Sequence, residues 1–293
     1  MSMYKKSASV FKIVFKSFST FVYKLPQFLK YIAYPVFGQL LGLWIVFSPF
    51  LMASNPKNVY LPMVAVALIA GLIIFCHSFW KFLLVSGGLV LISKQIVENE
   101  PLREFRYYTE IFQKRTKDYI VYLLLLCLIT LAIVAGILFV AVVYAIANNV
   151  SVPGLTVPIV GCTVLLILIM PLFSTITLQT FVLNQNLTPY QSIVKAAGLT
   201  LRYYFQSWGV LVLIYSINIL WSLMIDYFVK TFVFTQAVYE QHADISNMVE
   251  FLQAYTAGTF VSLFAPFVTL ALTWWYLRIA KERGIKQQQR VVE

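Results

Sequence analysis

Residues 122–147 read YLLLLCLITLAIVAGILFVAVVYAIA, a stretch of 26 residues with no charge, no proline and no side-chain amide. About 20 apolar residues in a helix cross the hydrocarbon core of a bilayer. A soluble interior has no room to bury such a run on every side. A membrane strand would alternate apolar and polar residues, and this run does not. With 60% hydrophobic and 11% charged residues over 293 positions, the rest of the chain points the same way. The fold class expected is an all-α polytopic membrane protein, read as one integral membrane domain over residues 1–293.

Six apolar runs predict six transmembrane helices, at 31–53, 60–80, 119–147, 156–183, 208–232 and 257–277. The first run starts too late and is too long for a cleaved signal peptide. A net charge of +11 in a soluble chain would suggest nucleic acid; here its distribution favours a membrane reading. Twenty of the 22 Lys and Arg fall in 1–30, 94–118, 184–207 and 278–293 or at Lys81, leaving Lys57 and Lys230 for the other side. Lys and Arg resist translocation, so this bias predicts both termini cytoplasmic and no nucleic-acid partner. The second run continues as FLLVSGGLVLI over 82–92. Either the helix runs on past the membrane edge, weakened at Gly87–Gly88, or a short piece re-enters.

A pattern recurs at the cytoplasmic ends. Thr188 and Pro189 are suited to helix N-cap and first position. After them Ile193, Ala196, Ala197, Thr200, Leu201 and Tyr204 share a face, and a span follows. Pro101 begins a similar segment, with Leu102, Phe105, Tyr108 and Phe112 as its apolar stripe. Residues 7–24 supply a third, with Phe11, Val14, Phe15, Phe18 and Val22 on one side and Lys12 and Lys16 off it. The chain thus reads as three helix-plus-hairpin units, 1–97, 98–185 and 186–293, with three cytoplasmic amphipathic helices. Two placements of these helices stay open. In one, Phe11, Phe15, Phe105, Phe112, Ile193 and Leu201 meet membrane lipids with anionic headgroups. In the other, the same faces pack on the bundle itself.

The segments VLNQNLTPYQSIVKAAGLTLRYYFQSWGVLVL and FVTLALTWWYLRIAKERG carry a resemblance, as does GGLVLISKQIVENEPLREFRYY. Together they resemble the bacterial six-span membrane proteins grouped with the membrane domain of glycerophosphodiester phosphodiesterases. The likeness covers most of the chain as a pattern and is specific in 182–213 and 264–284. It implies a fold and a compartment rather than a reaction. Many relatives have an acidic residue before the Ser-Pro-like step; this chain has Asn184 and Gln185 there.

Ionisable groups inside spans deserve a functional hearing. The candidate intramembrane polar positions are His77 and Lys81, four apart at the inner end of the second span, with Gln179 and Asn218. The plain alternative is that His77 bonds a neighbouring helix, Lys81 reaches the headgroups, and the amides join helices. Asp226 and Lys230 look like an ion pair near the outer boundary. Pro171 and Pro266 should kink their spans. No nucleophile–base motif, phosphate loop or paired carboxylates appear. Cys76, Cys127 and Cys162 all sit in apolar runs with no C-x-x-C pair. The expectation is therefore no enzyme, no catalytic or metal site and no cofactor. Two functions are compatible with it. One is a non-enzymatic inner-membrane protein that organises lipid or partner membrane proteins at the cytoplasmic face, using the amphipathic helices and the basic tail 278–290. The other is a small transporter or permease subunit with a cavity between kinked spans four and six.

Overall fold

The computed structural model describes residues 10–52, 60–147, 176–241 and 245–292, with isolated positions 160–161, 164, 169 and 172. Most of these residues are helical, and no strand occurs among them. In chain order the helices are α1 (Val10–Tyr23), α2 (Leu25–Met52), α3 (Leu61–Glu98), α4 (Phe105–Lys114), α5 (Thr116–Ala147), α6 (Thr177–Leu183) and α7 (Pro189–Arg202). Then come α8 (Tyr204–Phe228), which runs into a π turn (Val229–Val233), α9 (Gln236–Gln241), α10 (Ser246–Ser262) and α11 (Ala265–Val292).

Among the described residues four helices are long and apolar enough to cross a membrane: α2, α3, α5 and α8 with its π turn. A fifth exists if α10 and α11 form one broken span, bent by 42°. The bend sits just before Pro266, which has no N–H and cannot continue a helix from the preceding turn. The chain closes there with tight turns, Leu263 N–H to the Phe260 carbonyl at 3.2 Å and Phe264 N–H to Val261 at 3.0 Å. Most of the fourth expected span, with Pro158, Cys162 and Pro171, lies outside the described residues; its end is the short α6. The re-entrant alternative for 82–92 is not what forms. α3 is one unbroken helix of 38 residues, about 57 Å at 1.5 Å per residue, and so outreaches a hydrocarbon core of about 30 Å. Gly87 and Gly88 lie buried inside it. It stops at Asn99, whose φ of 57° is a left-handed cap that Asn tolerates.

α1 joins α2, α4 joins α5, and α7 joins α8, each through a single turn residue: Lys24, Arg115 and Tyr203.

The helices gather into two compact units. The first comprises 1–109 and 212–271. Its centre is the α2–α3 pair. Gly38 and Gly42, one turn apart on α2, meet Ser78 and Gly71 on α3. Small residues bring backbones close, which is how helices gain packing when lipid offers no hydrophobic drive. α10 lies on α2, with Trp44 Nε1 donating to Thr256 Oγ1 at 3.3 Å and Phe37 edge-on to Phe260. α1 docks through Phe18 and Phe21 on Phe264 and Phe267. Asp226 and Lys230 do pair, at 2.7 Å, in an exposed bridge.

The second unit comprises 110–211 and 272–293. Its core is an aromatic stack in which Phe112, Tyr119, Tyr122 and Phe181 follow one another. α7 packs on α6 and α5 and contributes buried Ile193, Ala196 and Leu199.

Candidate functional site

The densest polar arrangement is a corner of the second unit, where α6 ends and α7 begins. Thr188 closes α7 with a capping box: its hydroxyl accepts the Gln191 N–H at 3.3 Å, and the Gln191 Oε1 accepts the Thr188 N–H at 3.1 Å. Pro189 fills the first helical position, as the sequence suggests. Three residues of turn separate this cap from Asn184, which is the hub. Its Nδ2 donates to the Thr180 carbonyl and to the Tyr276 hydroxyl, each at 2.7 Å. Its Oδ1 accepts from Lys195 Nζ at 3.3 Å. All polar atoms of the amide are engaged, so the side chain is fixed in orientation.

Arg115, the turn residue between α4 and α5, secures the same corner. Its Nη1 donates to the Phe181 carbonyl at 3.2 Å and its Nη2 to Leu187 at 3.4 Å. The guanidinium lies 4.6 Å from the centre of the Phe181 ring, and Nε is 3.9 Å from Asp118 Oδ2. A planar, permanently charged fork can hold two carbonyls and stack at once, which an ammonium cannot. Placing that charge on the last turn of α6 also suits the helix dipole.

A second layer ties α8 to α11. Trp275 is buried, and its Nε1 donates to Ser207 Oγ at 3.2 Å. Tyr203 packs edge-on to Trp275 and bonds Glu282, which also accepts from Arg278 Nε at 3.3 Å. Burial, with the Glu282 charge and its bond, raises the Tyr203 phenol above its usual value. The chemistry of this whole corner is cohesive. The donors and acceptors of Asn184, Arg115, Trp275 and Glu282 are spent on neighbouring side chains and on the ends of helices. Among the described residues no three His, Cys, Asp or Glu gather as a metal-binding group.

The positions singled out from sequence are dispersed. His77, Lys81 and Asn218 lie in the first unit and Gln179 in the second. His77 is exposed on α3 and edge-on to Tyr34 at 6.4 Å; Lys81 and Asn218 are half-buried, and Gln179 is buried. The six residues proposed for the membrane surface divide. Phe112 and Ile193 are buried in the protein's own packing, because α4 and α7 turn those faces onto their neighbours. Leu201 stays exposed, as do Phe11 and Phe15, each at 63% and stacked on one another. The Phe105 side chain lies outside the described residues. On α1 the docked stripe is Ile13, Val14, Ser17 and Phe21; of the predicted set Phe11, Val14, Phe15, Phe18 and Val22, only Val14 is buried.

Sequence reasoning missed Arg115, Asn184–Tyr276 and the Gly38–Gly42 step. The last had a readable signal, since G-x-x-x-G in an apolar run marks close helix pairing. Nothing local to Arg115 foretells that its carbonyl partners lie 66 and 72 residues away. No protein-family model, curated protein or solved structure matches this chain.

Proposed function

We propose that this chain is a non-enzymatic six-span protein of the inner membrane, with both termini cytoplasmic, that organises lipid or partner membrane proteins at the cytoplasmic face. It is read as kin to the glycerophosphodiester phosphodiesterase membrane-domain family on the motifs quoted above. Support for the span count and sidedness comes from the apolar runs and the twenty-to-two distribution of Lys and Arg.

One observation carries the surface role. α1 is two-faced in an unusual way. One side is docked through Ile13, Val14 and Phe21. The other presents Phe11 and Phe15, 63% exposed, beside exposed Lys12 and Lys16. Large apolar rings flanked by lysines suit the headgroup boundary, where the rings sink and the ammoniums meet anionic lipid. The transporter alternative calls for a cavity beside span four, most of which lies outside the described residues. Two grooves on α2 and α3 are walled mainly by apolar side chains, and none of His77, Gln179 and Asn218 lines either.

Spin labels at Phe11 and Phe15 in reconstituted protein test this reading. Labels accessible to oxygen but shielded from a water-soluble relaxant are expected. Full accessibility to the water-soluble relaxant overturns the surface role. A reporter fused after Glu293 that is active only outside the cytoplasm overturns the topology.

A further inference from the structure

The α2–α3 pair carries a second feature, independent of α1. An open groove runs along it from Ala33 and Tyr34 to Trp44, with Phe37, Leu41 and Ile74 as its walls. The stretch from Tyr34 to Trp44 rises roughly 15 Å at 1.5 Å per residue. That is about half of a 30 Å hydrocarbon core, the depth of one leaflet.

Lys30 and Lys81 do not line the groove but lie just beyond its Tyr34 end, along the two helices that form it. The antiparallel register of the pair is set by Gly42 against Gly71 and Phe75, and by Gly38 against Ser78. Carried one turn further, that register brings Lys81 to the level of Tyr34, whose ring meets His77 one turn before it. Lys30 lies another turn back on the Tyr34 face of α2, exposed. The first 97 residues contain no Asp or Glu, so neither lysine has a carboxylate on its own helix before Glu98. Glu98 itself pairs with Lys94, at 3.6 Å.

We infer that this groove binds an anionic glycerophospholipid, its headgroup held by Lys30 and Lys81 and one acyl chain laid against Tyr34, Phe37, Leu41 and Ile74. The apolar walls match a chain, the two ammoniums match a phosphate, and the half-membrane length joins them. This rests on the proposed reading only in taking α2 and α3 as membrane spans.

The test uses full-length protein, delipidated in detergent and titrated with phosphatidylglycerol or phosphatidylcholine, with bound lipid counted by native mass spectrometry. Wild type should prefer phosphatidylglycerol. Lys30→Gln and Lys81→Gln should each weaken that lipid roughly fivefold, with little change for phosphatidylcholine. Leu41→Trp, which fills the groove without touching the lysines, should weaken both lipids. Lys12→Gln/Lys16→Gln separates the two readings, because it removes the α1 charges alone. A preference lost only in that variant overturns the groove while keeping the α1 reading; one lost only in the Lys30 and Lys81 variants upholds the groove. Unchanged binding in Lys30→Gln/Lys81→Gln or in Leu41→Trp also overturns the groove, as does a lipid-free dimer cross-linked through Leu41→Cys.

Discussion

Gly42 and Gly71 meet backbone to backbone: a Cβ on Gly42 would stand 2.7 Å from the Gly71 carbonyl oxygen and 2.6 Å from the Phe75 amide nitrogen. Both obstacles are helix backbone, which cannot yield as a flexible side chain does. Gly42→Ala should therefore push α2 and α3 apart and cost about 1–3 kcal/mol, the usual penalty of overpacking. Gly136→Ala on α5, where nothing lies within 4 Å, should be neutral or stabilising by up to about 1 kcal/mol through helix propensity. Thermal melting of the two variants in the same detergent compares them. Equal melting points would show that the close approach carries no energy.

Asn184 is the next test, because one amide serves three partners. Asn184→Leu leaves the Tyr276 hydroxyl and the Lys195 ammonium without it and should cost about 1–3 kcal/mol. Asn184→Asp should be milder. A carboxylate still accepts from Lys195, now as an ion pair, and the Tyr276 hydroxyl can reverse and donate to it. Only the bond to the Thr180 carbonyl is lost. The melting order Asn, then Asp, then Leu is the expected result.

How much of this was legible depends on how far apart the cooperating residues lie. The long helices follow from run length, and the capping box at Thr188 needs only residues three apart. The break before Pro266 follows from one ring. The helix faces were legible as stripes, but not what covers them. α1 has an apolar arc wide enough to hold Ile13 and Phe21 as well as Phe11 and Phe15, so its periodicity cannot say which part of that arc docks. Phe264 and Phe267 decide that, from the far end of the chain. Likewise Ile193 and Phe112 fit a lipid surface or a protein surface equally well by pattern. Packing of α7 on α6 and of Phe112 on Tyr119 selected the second. Asn184 and Tyr276 are 92 residues apart, beyond any local signal.

Tyr203 gives the fold an alkaline limit. Its phenol is held protonated above its usual value of 10.0, first by burial and then by the charge and bond of Glu282. A raised folded value means that the folded state keeps the proton longer than the unfolded chain does. The stabilisation is thus complete below about pH 10 and is lost as pH climbs through the folded value. Tyr203→Phe removes that term. Between pH 9 and pH 11.5 the melting point of wild type should fall more steeply than that of Tyr203→Phe. Parallel curves would show that neither burial nor Glu282 raises this phenol.

The Trp275–Ser207 bond allows the cleanest separation of polar from apolar packing. Trp275→Phe keeps most of the buried ring but leaves the Ser207 hydroxyl buried without its donor. That change combines a cavity with an orphaned group and should cost about 2–4 kcal/mol. Ser207→Ala orphans the indole N–H instead and should cost about 1–2 kcal/mol. In the double variant neither group remains to be orphaned. Its loss should fall short of the two single losses added together by about 1 kcal/mol, the coupling between contacting residues. Strict additivity of the four melting free energies would mean that the bond contributes nothing and that Trp275 acts by volume alone.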